Sequence, residues 1–194
     1  MTTTMKIGVI AIQGDVEEHV VALEETLAAK QEKGEVVKIK HRGTLGSCDA
    51  IVIPGGESTT IGRLMEREGI FLEINETAGV GKPILGTCAG MVLLAKEGDE
   101  EVAKTGQPLL GLMGVKVKRN AFGRQRESFE TLLQMSIFEE PFHAVFIRAP
   151  AITQAAENVE VLATFDEHIV AAKQGNIIAL SFHPELTEDR RIHH

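Results

Sequence analysis

Pro83-Ile84-Leu85-Gly86-Thr87-Cys88-Ala89-Gly90-Met91-Val92 decides how this chain is read. An apolar strand enters, Gly86-Thr87-Cys88-Ala89-Gly90 turns sharply, and Met91-Val92-Leu93-Leu94-Ala95 leaves as a helix. This is the Gly-x-nucleophile-x-Gly pattern, whose glycines let strand and helix backbones approach closely at an elbow. Cys88 then stands at a helix N-terminus, a setting that favours thiolate over thiol. The pentapeptide alone reads equally well as a small buried hydrophobe, the commoner fate of a lone cysteine.

Outward from the elbow, strand-like and helix-like periods alternate. Residues 6–12 form a nearly continuous apolar run, as expected of a parallel strand buried on both faces. Val16, Val20, Leu23 and Leu27 recur at helical spacing, with Glu17, Glu18, Glu24 and Glu25 opposite. Residues 36–39 and 50–53 read as short strands, and Ser58 as the N-cap of a helix to about residue 65. The helix after the elbow is expected over residues 89–96. This alternation predicts an α/β fold of three layers, with a mostly parallel central sheet flanked by helices. Ligands of such sheets bind at the carboxyl ends of the strands, where Gln13, Gly55-Gly56, Cys88 and His183 all fall.

The second half differs. Residues 115–118, 129–134, 144–148, 159–164, 168–173 and 177–182 read as strands with few helices between them. Some are expected to form an antiparallel extension over the site. Residues 98–107, polar and glycine-containing, are expected to be a mobile loop.

At 194 residues and 43% hydrophobic content, the chain suits one domain over residues 1–194 with a sizeable core. A net charge of −8 argues against nucleic acid as a partner. No apolar run reaches the roughly 18–20 residues that span a bilayer. Residues 7–12 are followed at once by Gln13-Gly14-Asp15, a strand rather than a signal peptide. Cys48 and Cys88 lack Cys-x-x-Cys spacing, so a reducing cytoplasm is expected, and Cys48 is assigned only packing.

A second segment bears on Cys88. The strand-like run before it ends in His183-Pro184-Glu185, and in an extended backbone His183 and Glu185 project to the same side. A nucleophilic cysteine needs a base in reach, and that base needs a third group to fix its tautomer. Cys88, His183 and Glu185 fill those roles. Gly55-Gly56-Glu57-Ser58 also invites a phosphate-loop reading, but it lacks the Gly-Lys-Ser/Thr ending.

The elbow and Ser181-Phe182-His183-Pro184-Glu185 resemble the signature pair of the class I (triad) glutamine amidotransferases. Three further stretches narrow the match: Pro54-Gly55-Gly56-Glu57-Ser58-Thr59-Thr60, Arg119-Asn120-Ala121-Phe122-Gly123-Arg124-Gln125 and Phe146-Ile147-Arg148-Ala149-Pro150. With Ala11-Ile12-Gln13-Gly14 and Leu186-Thr187-Glu188-Asp189, the chain is similar to the glutaminase-subunit family of pyridoxal 5'-phosphate synthase from about residue 6 to residue 192.

That resemblance implies a flavodoxin-like fold and hydrolysis of L-glutamine by Cys88, His183 and Glu185. It implies glutamine contacts from Gly56, Glu57, Ser58, Arg119, Ile147 and Arg148, with Arg124 and Arg126 left as solvated charges. Ala89 N–H and the Gly55-Gly56 turn are the expected oxyanion donors. The Gln13-Gly14 loop is expected to rearrange when a partner docks. The implied partner is the barrel-shaped synthase subunit, in a hetero-oligomeric complex; no cofactor and no metal are implied.

One departure is the ending Ile192-His193-His194, where the family commonly continues into a helix that would cover apolar surface. The two histidines read as native residues or a tag remnant, and Met1–Thr4 as a dispensable start. Two rivals remain. One is another class I glutaminase, which would need different segments at residues 54–60 and 119–125. The other is a catalytically silent scaffold of the same fold, which has no chemical need for all three triad residues.

Overall fold

A computed structural model describes residues 4–123 and 127–194. Arg124, Gln125 and Arg126 lie outside the described residues. In chain order the first-half elements are β1 (Met5–Ile10), α1 (Val16–Lys30), β2 (Gly34–Ile39), β3 (Ala50–Ile53), α2 (Ser58–Arg67), α3 (Ile70–Gly79), β4 (Ile84–Thr87), α4 (Ala89–Leu94) and β5 (Ala95–Glu97). Then come α5 (Glu100–Thr105), β6 (Met113–Lys118), β7 (Ser128–Leu133), β8 (Phe142–Ile147), β9 (Ala151–Ala155), β10 (Glu160–Phe165), β11 (His168–Gln174) and β12 (Ile177–Leu180).

The ten-stranded sheet runs β2-β1-β3-β4-β12-β11-β9-β6-β5, with β10 paired to β11. From β2 to β12 all neighbours are parallel. From β12 to β6 they alternate antiparallel. The chain thus joins the expected parallel half to the expected antiparallel extension inside one sheet. β7 and β8 form a separate antiparallel hairpin.

Each sheet face has its own core. Ile7, Val9 and Val52 meet Val16, Val20, Leu23 and Leu27 of α1 on one side. Ile10, Ile51 and Ile53 meet Ile61, Met65, Ile70 and Ile74 of α2 and α3 on the other, together with α4. These apolar contacts make the three layers. A further core holds seven of the eight phenylalanines. Phe129 and Phe146 stack at 4.6 Å between centroids, and Phe146 meets Phe182 at 5.5 Å, which fixes the hairpin beside the end of β12. Among the described residues no helix is long and apolar enough to cross a membrane.

Several local expectations are corrected. Ser58 is the first residue of α2, and its N-cap is Glu57, whose carboxylate accepts from Thr59 N and Thr60 N. Residues 98–107 contain α5, capped by Asp99 and closed by Gly106 at φ 60°. The helix after the elbow ends at Leu94, because Ala95–Glu97 pairs with β6. Apart from these corrections, near the C-terminus Arg191 bonds Asp189 and lies 4.6 Å over the Phe138 ring, His193 is buried and His194 is exposed.

Candidate active site

β4 ends at Thr87 and α4 starts at Ala89, leaving Cys88 alone in the corner at φ 48°, ψ −103°. Such a backbone is costly for a residue with a Cβ and holds only where the surroundings over-determine it. Here Cys88 N donates to Leu180 O at 2.8 Å, tying the corner to the end of β12. Both flanking glycines are needed. A Cβ on Gly86 would stand 2.4 Å from Leu94 Cδ1, and one on Gly90 2.2 Å from Ile53 O. The thiol is nearly buried and donates to Ile147 O at 3.9 Å.

His183 follows the bend after β12, held by its N–H on Val145 O at 2.8 Å. Glu185 is not on an extended strand. It sits in a short 3-10 turn, Pro184–Leu186, and that turn brings Glu185 Oε1 to 2.8 Å from His183 Nδ1. The pairing therefore stands for a different reason than strand alternation. His183 Nε2 is buried with no hydrogen-bond partner, on a ring close enough to Cys88 for the thiol to affect its protonation.

Asp15 is a third group on this ring that sequence reasoning missed. It occupies the N-cap position of α1 but makes no capping bond. Its Oδ2 lies 3.3 Å from His183 Nδ1 instead. Burial disfavours charge on His183, but the neighbouring Asp15, Cys88 and Glu185 outweigh it and the pKa is pushed up to about 12. Burial raises the pKa of Glu185, with the bond to His183 opposing it only in part. Asp15, His183 and Glu185 offer ligand atoms within 4.8 Å of one another. A proton on Nδ1 accounts for that cluster without a cation.

Asp15→Asn removes one of two carboxylates from Nδ1, so His183 is expected to titrate lower. NMR titration of its imidazole against pH reads this directly, and an unmoved curve would show that Asp15 does not act on the ring. The sign for stability follows from the same shift. With a folded pKa above the usual 6.5, the stabilisation is complete below pH 6.5 and is lost as pH rises toward 12.

The expected glutamine contacts share a wall with Cys88 and His183. Gly56, Glu57, Ser58, Ala89, Arg119, Ile147 and Arg148 line one cavity of about 300 Å³. Gly56 takes φ 142°, and Arg148, at the end of β8, takes φ 42°. Arg119 Nη2 donates to Glu57 Oε1 at 3.3 Å, and Nη1 to Thr59 Oγ1 at 3.0 Å and Gln107 Oε1 at 3.3 Å. Gln107 also accepts from Ser58 Oγ at 3.0 Å, and Asp99 Oδ2 accepts from Arg119 N at 2.8 Å. Neither Gln107 nor Asp99 was legible as part of the site.

Glu57 answers the phosphate-loop reading. Burial disfavours its charge, but bonds from Thr60 and Thr59 prevail and hold its pKa at about 2. A carboxylate already occupies the N-terminus of α2, where a phosphate would have to sit. The Gln13-Gly14 loop is seated on the glycine turn. Gln13 Oε1 accepts from Glu57 N at 2.9 Å, and a Cβ on Gly14 would stand 1.7 Å from Gly55 O.

An elbow-mounted cysteine facing a histidine–carboxylate pair, at the carboxyl ends of parallel strands, is the layout of a cysteine-dependent acyl-transfer enzyme. A solved structure described as a glutamine amidotransferase matches at TM-score 0.85 and 44% identity, covering 96% of this chain and 94% of that one. The family model of the SNO glutamine amidotransferase family matches residues 9–194, and the chain belongs to that family. The pyridoxal 5'-phosphate synthase subunit PdxT of Methanocella arvoryzae is 62% identical, covering 97% of this chain and 94% of the relative. That of Methanococcoides burtonii is 60% identical, covering 97% and 96%.

Proposed function

We propose that this chain hydrolyses the side-chain amide of L-glutamine and hands the ammonia to a pyridoxal 5'-phosphate synthase subunit. The observation that carries the chemistry is the corner itself: Cys88 strained between two obligatory glycines, beside a His183 whose Nδ1 is held by Glu185 at 2.8 Å. The Cys88 thiolate attacks the amide carbon, and the C–N bond breaks as His183 gives its proton to the departing ammonia. Water then attacks the thioester, His183 takes the proton, and glutamate leaves as the thiol is restored. Glutamine and water become glutamate and ammonia, with nothing else consumed.

Ala89 N–H, at the start of α4, and the Gly55-Gly56 turn are the proposed oxyanion donors. Losing one such donor typically costs about 2.7–4 kcal/mol of barrier. Gly56, Glu57, Ser58, Arg119, Ile147 and Arg148 are the proposed glutamine contacts, since all line the cavity that holds Cys88. Arg119→Met is expected to raise KM for glutamine by roughly tenfold, the equivalent of about 1.4 kcal/mol, and kcat much less. An unchanged KM would remove Arg119 from the substrate site.

The partner is inferred from the relatives' names and from chemistry. Free ammonia is protonated and diluted in water, so its release is useful only beside an acceptor enzyme. The cytoplasm is the proposed compartment, where two unpaired cysteines stay reduced. Gln13 and Gly14 are the proposed relay. They sit on the glycine turn and can reshape it if a docked partner moves them, so Gln13→Ala is expected to lower partner-stimulated turnover. Equal stimulation with and without Gln13 would refute that relay.

The test of the whole reading is glutamate release from glutamine, by the chain alone and with the synthase subunit, alongside labelling by 6-diazo-5-oxo-norleucine. Strong stimulation and selective labelling at Cys88 are expected. High activity without stimulation would keep the glutaminase and discard this partner. No labelling of a folded, synthase-bound chain would favour the silent scaffold.

A further inference from the structure

His19 is the most deeply buried titratable side chain near the triad, at 0% exposure. It lies on α1 within the apolar stripe of Val16, Val20 and Leu23, where an imidazole must find partners for both nitrogens or lose stability. Its Nε2 is 2.9 Å from Thr87 Oγ1, the residue before Cys88, and 3.3 Å from Glu185 Oε2. Its Nδ1 is 3.4 Å from His193 Nε2.

Proton bookkeeping fixes how these groups face one another. Glu185 Oε1 is engaged by His183, while Oε2 is buried and has no hydrogen-bond partner. Burial, with His193 and His183 nearby, drives the pKa of His19 well below 6.5, so the ring is neutral and carries one proton. A lone pair on Nε2 would face the Glu185 carboxylate and be repelled. A proton on Nε2 is instead given to Thr87 Oγ1 at 2.9 Å with its positive end beside Glu185, and Nδ1 then accepts from His193. His193 is itself kept neutral by burial and by Arg190 and His194, its pKa lowered to about 4. Asp15 and Cys88 complete the charged and titratable set, both reaching this network through His183.

We infer that His19 is a positioning residue for glutamine hydrolysis: its Nε2, hydrogen-bonded to Thr87 and 3.3 Å from the outer oxygen of Glu185, keeps that carboxylate turned so that the inner oxygen stays on His183. The inference rests on Cys88, His183 and Glu185 being the triad. One further feature gives it reach. His19 N donates to Asp15 O at 3.3 Å, so the first turn of α1 touches the triad twice, through Asp15 on His183 and through His19 on Glu185. That turn follows directly on the Gln13-Gly14 loop. A shift of the loop would reach both carboxylates of the histidine together.

His19→Leu separates positioning from packing, because leucine suits the apolar stripe and keeps α1 folded. With the synthase subunit present, kcat for glutamate release is expected to fall roughly 10–100-fold, as for loss of other groups that orient an active-site ligand, with KM for glutamine unchanged. The imidazole titration of His183 should move as well, and His19→Gln, which restores an N–H, should recover part of the rate. A folded His19→Leu with full kcat and an unmoved His183 titration would overturn the inference. Should His19→Leu not fold, His19→Met, apolar and more adaptable in shape, is read the same way. Cys88→Ala is run beside them. Glutamate release that does not depend on Cys88 sinks the triad and this inference with it, whereas a Cys88-dependent wild type with an indifferent His19 sinks this inference alone.

Discussion

Cys88→Ala is expected to lower kcat for glutamate release by at least about 10⁴-fold, with and without the synthase subunit, while the protein still folds and binds glutamine. The size follows from the role: removing the nucleophile of a coupled triad costs about as much as removing the whole triad. Folding should survive because alanine meets the same φ of 48° that cysteine already tolerates, and only one sulfur leaves a nearly buried site. Binding should survive because the groups proposed to hold glutamine belong to other elements of the cavity wall. Calorimetric titration with glutamine, beside a coupled glutamate assay, separates the two effects. A double variant with His183→Ala should be scarcely slower than Cys88→Ala, since residues that act as one unit are not additive. Turnover persisting in Cys88→Ala would mean that the hydrolysis runs elsewhere.

Legibility in the sequence followed burial. The parallel strands are written as apolar runs because both faces are covered, and the elbow is written in glycines because no other residue fits. Elements that are only half buried left weaker marks. β9, Ala-Ile-Thr-Gln-Ala, is exposed over its last three residues and shows no clean alternation. Residues 98–107 read as a loop in sequence although Asp99 and Gly106 bracket α5 with a start and a stop signal. The polar second layer of the site was harder still, and for a physical reason. Asp15 stands where a helix cap belongs, and only the tertiary fold shows that its carboxylate faces His183 rather than the helix. His19 did leave a trace, as a polar residue in the i+3 slot of the apolar stripe of α1. A histidine in such a slot asks for a buried partner, and Thr87 and Glu185 lie too far along the chain for spacing to name them.

Gly90→Ala is expected to cost about 3 kcal/mol or more of folding stability, although helix propensity alone favours alanine by about 1 kcal/mol. The reason is where the new methyl lands. It would stand 2.2 Å from Ile53 O and 3.1 Å from Ile53 C, atoms of the β3 backbone rather than of a side chain that can turn away. β3 is paired with both β1 and β4, so yielding at Ile53 means disturbing the centre of the parallel sheet. At about 2–4 °C per kcal/mol for a chain of this size, the melting temperature should fall by roughly 10 °C. Gly79→Ala is the control: it ends α3, nothing lies within 4 Å of its Cβ, and it should be neutral or slightly stabilising. If the two variants melted alike, the close approach of α4 to β3 would be wrong. The consequence for chemistry follows from the same contact. Any relaxation that admits the methyl must push α4 off the sheet and move the corner at Cys88, so the folded fraction of Gly90→Ala should also turn over more slowly than wild type.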